Sequence, residues 1–91
     1  MKHQMRWAID VVVMPKTGVS DPQGEAVRGG LAMLGHTSVE RVRVGRHISL
    51  EVDAADGDAA RQATLQMTEQ LLANPVIEMF TVGEPRLLTD S

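Results

Sequence analysis

The sequence predicts an α+β fold in which an antiparallel sheet carries two helices on one face. Three observations indicate this class: apolar residues alternate along several segments, they recur at helical spacing along two others, and turn signals separate the segments. In chain order the segments give β-α-β-β-α-β, the order of ferredoxin-like domains. At 91 residues the chain is expected to form one domain, residues 1–91, that oligomerises through its sheet.

The first strand is predicted at residues 6–14, where apolar residues occur on both sides of the chain. After a loop, Asp21-Pro22 begins a helix, because aspartate at the N-cap accepts backbone N–H groups and proline at the first position has none to satisfy. This helix is expected at residues 22–34, with Gly35 as its left-handed C-cap. Its apolar stripe consists of Ala26, Val27, Gly30, Leu31 and Leu34.

Two strands are predicted next, at residues 39–45 and 47–53, joined by a tight hairpin at Gly45-Arg46. The second helix has an apolar stripe of Ala60, Ala63, Thr64, Met67 and Leu71, and Asn74-Pro75 ends it. The last strand is predicted at residues 76–82. The uncovered sheet face would carry a mixture that suits a wet protein interface: Asp10, Val12, Met14, Arg41, Arg43, His47, Ser49 and Glu51.

The composition argues against several classes of protein. The formal net charge of -3 and an aromatic content limited to Trp7 and Phe80 do not suit a nucleic-acid-binding protein. Cysteine is absent, which excludes disulfides, thiolate metal sites and a thiol nucleophile. Because no run of apolar residues matches a signal peptide or a membrane span, we expect a cytoplasmic protein that does not contact a membrane.

The stretch "SDPQG" has two interpretations. A helix N-terminus can bind an anion through its free N–H groups, but Asp21 would occupy those groups and repel an anion, so capping is favoured. Lys16, Arg43 and Arg46 could bind phosphate, although scattered cations are more often solvated or paired. The three histidines, at positions 3, 36 and 47, match no metal motif, and His36 is expected near the C-cap of the first helix.

Four segments together resemble the PurS subunit of phosphoribosylformylglycinamidine synthase across nearly the whole chain: "VSDPQGEAV", "LAMLGH", "VRVGRHISLEV" and "LLANPVIE". The residues that match the family pattern are Lys16, Asp21, Pro22, Gln23, Gly24, Leu34, Gly35, Val42, Arg43, Gly45, and Asn74 to Glu78. The chain departs from the pattern at Ser20, where leucine is usual, at Arg46, where lysine is common, at Gly29-Gly30, and at Met79-Phe80.

The resemblance implies membership in an ATP-dependent glutamine amidoligase complex of purine biosynthesis. Such a complex converts formylglycinamide ribonucleotide, ATP and glutamine into formylglycinamidine ribonucleotide, ADP, phosphate and glutamate. It implies a homodimer or homotetramer that bridges a synthetase subunit and a glutaminase subunit, with no cofactor of its own, while ATP and Mg belong to the synthetase. Structural or partner contacts are then expected at Lys16, Asp21, Pro22, Gln23, Gly24, Arg43, Gly45 and Arg46.

Two other functions fit the predicted fold. One is a stand-alone regulatory module that binds a small metabolite at a dimer interface. The other is a small dimeric enzyme, which would need a cleft with a convergent acid or base. No such constellation is visible in the sequence, so the subunit itself is predicted to be non-catalytic.

Overall fold

The computed structural model describes residues 4–88. In chain order its elements are β1 (Met5–Pro15), α1 (Pro22–Met33), β2 (Arg46–Ala54), α2 (Gly57–Met67) with a π-helical continuation (Thr68–Leu72), β3 (Glu78–Val82) and β4 (Arg86–Leu87). The α+β class, with an antiparallel sheet of four strands and two helices, is confirmed.

The long strand β1 lies at the centre of the sheet. Strand β2 pairs along one of its edges, with Ile9 opposite Leu50. The other edge is shared, because β3 pairs with its second half and β4 with its first half, where Trp7 lies opposite Leu87. Gly83, between β3 and β4, donates its N–H to the Asp10 carbonyl at 2.8 Å and continues this edge. On the faces of the sheet, Ile9, Val11 and Val13 of this strand are buried, whereas Val12, which points to the other face, is 40% exposed.

The core lies between one face of the sheet and α2. Ile9, Val11 and Val13 of β1 are fully buried there, and α2 contacts β1, β2 and β3. Thr64 and Thr68 are also fully buried, but their hydroxyls donate to the carbonyls of Ala60 and Thr64 at 2.9 and 2.8 Å. These bonds satisfy the hydroxyls without a partner outside the helix.

The predicted apolar stripe of α2 is wrong in its second half. Met67 and Leu71 are 39% and 84% exposed, whereas Thr68 and Ala73 are buried. Met67 precedes the π-helical turn and lies beside the buried line of Ala60, Thr64 and Thr68, which are four residues apart. The π-helical turn adds about one residue to a helical turn and rotates the face that follows, so the next buried residue is Ala73 and Leu71 is exposed. The sequence period of an ordinary helix cannot anticipate that rotation.

The strand predicted at residues 39–45 does not form, and neither does the hairpin at Gly45-Arg46. The Val44 N–H donates to the Asp21 carboxylate, and Gly45 lies against the Val13 carbonyl. This segment is therefore attached to the start of α1 and the end of β1. Arg41 and Arg43, expected on the open sheet face, lie on that connecting segment instead.

Helix α1 does not lie on the sheet, contrary to the prediction of two helices on one face. Its single buried residue is Gly24, and no strand contacts it as extensively as the strands contact α2. The predicted stripe is mostly exposed, with Val27 at 45% and Leu34 at 77%, while Leu31 is half-buried. The molecule is accordingly elongated, 60 × 30 × 15 Å, and its radius of gyration of 17.5 Å exceeds the roughly 12 Å of a compact chain this long.

Candidate functional site

Asp21 connects the first turn of α1 to the segment that precedes β2. One carboxylate oxygen accepts the Gly24 N–H at 3.0 Å, and the other accepts the Val44 N–H at 3.0 Å. These two backbone donors, Gly24 first, and the charge of Arg43 hold the pKa of Asp21 below its ordinary value. Asp21 is thus the N-cap that the sequence predicts, and it also makes a long-range tie that the sequence did not reveal.

Two glycines of the family pattern occupy places where backbone approaches too closely for a side chain. A Cβ at Gly24 would collide with the Val42 carbonyl, and a Cβ at Gly45 would collide with the Val13 carbonyl and the Met14 sulfur. Both positions therefore require glycine for packing. Pro22, at the first position of α1, and Gln23 beside it are exposed.

Arg43 spans the space between the end of β1 and β3. Its Nη2 donates to the Pro15 carbonyl and lies 3.9 Å from the Met79 sulfur. Lys16 is held through its backbone, whose N–H donates to the Ile77 carbonyl at 2.9 Å, and its side chain is exposed. The structure thus fixes the position of both cationic residues relative to β3.

Arg46 forms a bidentate ion pair with Glu78, with N–O distances of 2.9 and 3.1 Å, and its Nη2 also donates to the Leu72 carbonyl at 2.8 Å. The hydrogen bond to Glu78 raises the pKa of Arg46. Lysine, common here in the family pattern, is a point charge that lacks this planar fork. Arg46 therefore joins β2 to the start of β3 through an arrangement specific to arginine.

The "NPVIE" segment is a closed turn stabilised by its own polar groups. The Asn74 side-chain oxygen accepts the Val76 N–H at 3.1 Å, and the Glu78 carboxylate accepts the Asn74 N–H at 2.7 Å. The hydrogen bonds from Arg46, first, and from the Asn74 N–H lower the pKa of Glu78. These contacts give the segment a structural role.

A cleft of about 420 Å³ lies between the β1–α1 loop and the segment before β2. Residues 15–21 form one wall, and residues 41–43 form the other. The cleft brings Lys16, Asp21 and Arg43 together, as the family pattern suggested, and adds Arg41 and Glu25. Gly45 and Arg46 lie outside its lining.

A second polar cluster lies on the open sheet face. Asp10 accepts the Ser49 hydroxyl at 3.0 Å, and its Oδ2 lies 3.4 Å from Arg86 Nη1 and 3.5 Å from His47 Nε2. The Ser49 hydrogen bond is the largest cause that lowers the pKa of Asp10. The alternating pattern placed Asp10, His47 and Ser49 on this face, but β4, which carries Arg86, gave no sequence signal.

The arrangement is better suited to holding chain segments together than to acid–base chemistry. The three carboxylates with lowered pKa values, Asp10, Asp21 and Glu78, all accept hydrogen bonds or pair with cations. Within residues 4–88, no group of three or more histidine and carboxylate side chains is placed to hold a metal ion. In the same range, the helices are too short or too polar to cross a membrane.

Comparisons with known proteins agree on one family. The family model described as "PurS: Phosphoribosylformylglycinamidine (FGAM) synthase" matches residues 8–84. The phosphoribosylformylglycinamidine synthase subunit PurS of a Synechocystis strain is 42% identical over 88% of this chain and 78% of that protein. The corresponding subunit of Mycobacterium leprae is 44% identical over 79% of this chain and 87% of that protein.

Solved structures give the same result. The crystal structure of the PurS subunit from Thermotoga maritima matches with a TM-score of 0.81 and 32% identity, over 90% of this chain and 94% of that one. A chain in the structure of PurLQS from the same organism matches with a TM-score of 0.79 and 32% identity, over 87% of this chain and 96% of that one.

Proposed function

This chain belongs to the PurS family of phosphoribosylformylglycinamidine synthase subunits, and we propose that it is the assembly subunit that holds a synthetase and a glutaminase subunit together. The observation that carries the proposal is the family match, which spans residues 8–84. The likeness to a chain of the Thermotoga maritima PurLQS structure supports a role inside a complex. The reaction is the glutamine- and ATP-dependent amidation of formylglycinamide ribonucleotide in purine biosynthesis.

The chemistry is proposed to take place on the other subunits. The residues that match the family pattern mostly secure the fold here: Asp21 ties α1 to residue 44, Gly24 and Gly45 permit close backbone contacts, and Glu78 binds Arg46. The lowered pKa values of Asp21 and Glu78 make these carboxylates weakly basic, and so poor general bases near neutral pH. ATP and Mg are accordingly assigned to the synthetase subunit, and the complex to the cytoplasm.

Self-association is part of this proposal. The accessible surface of the chain is 6733 Å², whereas a compact monomer of 9.9 kDa exposes about 5,200 Å². The excess of about 1,500 Å² on one chain is about twice the roughly 800 Å² that each partner buries in a standard protein interface. Exposed apolar side chains on α1 supply part of that surface, with Met33 at 90% and Leu34 at 77%. We propose that a homodimer or homotetramer covers them.

Partner contacts are proposed at the exposed members of the family pattern. Lys16, Pro22 and Gln23 are exposed around the start of α1, next to the cleft. Other members of the family pattern contribute to partner binding indirectly. They hold in place the segments that carry the exposed contact residues; these members are Asp21, Gly24, Gly45 and Arg46. These exposed residues lie at one end of the sheet. The open sheet face therefore remains available for a different protein contact.

Co-purification from the native source tests the proposal. An affinity tag on this chain should recover a synthetase and a glutaminase subunit together, and the isolated chain should show no turnover. Stabilisation of the isolated chain by a small metabolite, without recovery of either subunit, would instead support a regulatory module. Turnover by the isolated chain would support an enzyme.

A further inference from the structure

We propose that the cleft between the β1–α1 loop and the segment before β2 is an oxyanion-binding site, which takes a phosphate or carboxylate group through Lys16, Arg41 and Arg43 of its lining. The volume of about 420 Å³ is in the range of small-ligand sites. The inference goes beyond the assembly function, because it assigns a ligand chemistry to a place that the family pattern leaves without one.

The first support is the charge balance of the cleft. Lys16, Arg41 and Arg43 line it, and none of them forms an ion pair with another residue in the part of the chain that the structure describes. The two carboxylates of the lining are engaged elsewhere: both oxygens of Asp21 accept backbone N–H groups, and Glu25 pairs with Arg28 at 3.0 Å. The charge of Glu25 is thus matched by Arg28, whereas Asp21 keeps one negative charge that acts on Arg43. Three cations against that one carboxylate leave the cleft with a positive balance, on a chain whose net charge is -3.

The second support is rigidity of both walls. On one wall the Lys16 N–H is bonded to the Ile77 carbonyl, and Val19 N–H closes a turn onto the Lys16 carbonyl at 3.2 Å. Gly18 permits that turn through its φ of 86°. On the other wall the Val44 N–H is bonded to Asp21 at 3.0 Å. Because the backbone of both walls is fixed, ligand binding costs little backbone conformational entropy.

The third support is that Arg43 has hydrogen-bond donors that are not used within the chain. A guanidinium has five N–H donors, and the contacts of Arg43 to the Pro15 carbonyl and the Met79 sulfur involve only its Nη2. Its orientation is thereby fixed while other donors stay available. Lys16 and Arg41 are exposed and able to move toward an oxyanion. Charge-assisted hydrogen bonds from such groups are about twice as strong as neutral ones.

The oxyanion has two sources, a small phosphate compound in solution or a carboxylate on a partner subunit, and two measurements separate them. In the first, inorganic phosphate is titrated into the complete isolated chain while backbone amide NMR signals are followed. Binding by a free phosphate predicts saturable shifts confined to residues 15–21 and 41–43, and an affinity about tenfold lower in a Lys16→Gln, Arg41→Gln variant. Arg61→Gln, on α2 and outside the cleft, is the matched control.

In the second, assembly with the synthetase and glutaminase subunits is measured at low and high salt. A partner carboxylate predicts that Arg41→Glu weakens assembly about tenfold or more at low salt, while Arg61→Glu does not. The proposal is overturned if phosphate shifts are diffuse or absent, and if Arg41→Glu and Arg61→Glu also affect assembly equally. If the wild-type chain does not assemble with the two subunits, the proposed assembly function is wrong. The phosphate titration alone then tests whether the cleft binds an oxyanion.

Discussion

The Asp21 carboxylate and the Val44 N–H, 23 positions apart in the chain, form a hydrogen bond of 3.0 Å that attaches helix α1 to the segment before β2. The same carboxylate caps α1 through Gly24. One side chain therefore sets both where the helix begins and how it is attached to the rest of the fold. Because no strand packs extensively against α1, this pair is one of the contacts that hold the helix to the rest of the fold.

Two substitutions of Asp21 distinguish the contributions of its two hydrogen bonds to stability. Asparagine keeps one acceptor oxygen for Gly24 but presents an NH₂ group toward Val44, whereas alanine loses both contacts. We expect the melting temperature to fall in the order wild type, Asp21→Asn, Asp21→Ala, measured by circular dichroism at one protein concentration. Equal stability of wild type and Asp21→Ala would show that the pair is unimportant.

Two glycines of α1 should respond in opposite ways to alanine. Gly24→Ala places a Cβ against the Val42 carbonyl and should destabilise the chain by about 1–3 kcal/mol. Gly29→Ala meets nothing within 4 Å in this chain and should stabilise the helix by about 1 kcal/mol. Urea unfolding of both variants checks the contrast. A destabilised Gly29→Ala would contradict the prediction and indicate that another chain packs closely against that glycine.

The Arg46–Glu78 pair should make stability dependent on pH in the acid range. Hydrogen bonds from Arg46, first, and from Asn74 lower the pKa of Glu78 from its ordinary value of 4.5. The contribution of the pair is therefore complete above 4.5 and is lost as pH falls toward the lowered pKa of the folded state. Thermal unfolding between pH 7 and pH 3 should show a shallower decline in Glu78→Gln than in wild type. Identical profiles would rule out this linkage.

Arg46→Lys is the matched test of geometry at that pair. Lysine keeps the charge but not the two parallel N–H donors, nor the separate bond to the Leu72 carbonyl. We expect a lower melting temperature at pH 7, with part of the acid dependence retained because an ion pair remains. A melting temperature equal to wild type would show that charge alone matters there.

The sequence predicted elements better than their arrangement. The alternating pattern of β1 and the Asp21-Pro22 start of α1 located both correctly, because each depends on local geometry. The attachment of residues 41–45 to Asp21 and the π-helical turn at Thr68–Leu72 were missed. The first feature depends on a tertiary contact and the second on one extra residue in a helical turn. Neither cause produces a periodic pattern in the sequence.

In the candidate site, too, some residues were predicted from the sequence and others were not. Residue chemistry singled out Asp21 as an N-cap and Lys16 and Arg43 as possible phosphate ligands, and family resemblance added that all three are contact residues. The structure places them around one cleft. Arg41 was expected on the sheet face, because the segment that carries it looked like a strand. Its place in the cleft depends on the Asp21–Val44 bond, which composition and spacing do not reveal.

Self-association should require the exposed apolar face of α1. Val27 and Leu34 lie on one side of the helix, since seven residues make nearly two turns, and Ala32 lies on the other. Sedimentation at micromolar concentration should show an oligomer for wild type and for Ala32→Lys. The Val27→Lys, Leu34→Lys variant should associate about tenfold or more weakly. A wild-type monomer would remove the proposal, and equal effects of the two variants would place the interface elsewhere.

The most direct test of the assembly role compares two ammonia sources for the same synthesis. With purified synthetase and glutaminase, addition of this subunit should restore product formation from glutamine, because docking lets ammonia pass between the two active sites. Product formation from free ammonia should depend on the subunit much less, since the glutaminase no longer has to be docked. Full glutamine-driven synthesis without this subunit would contradict the account.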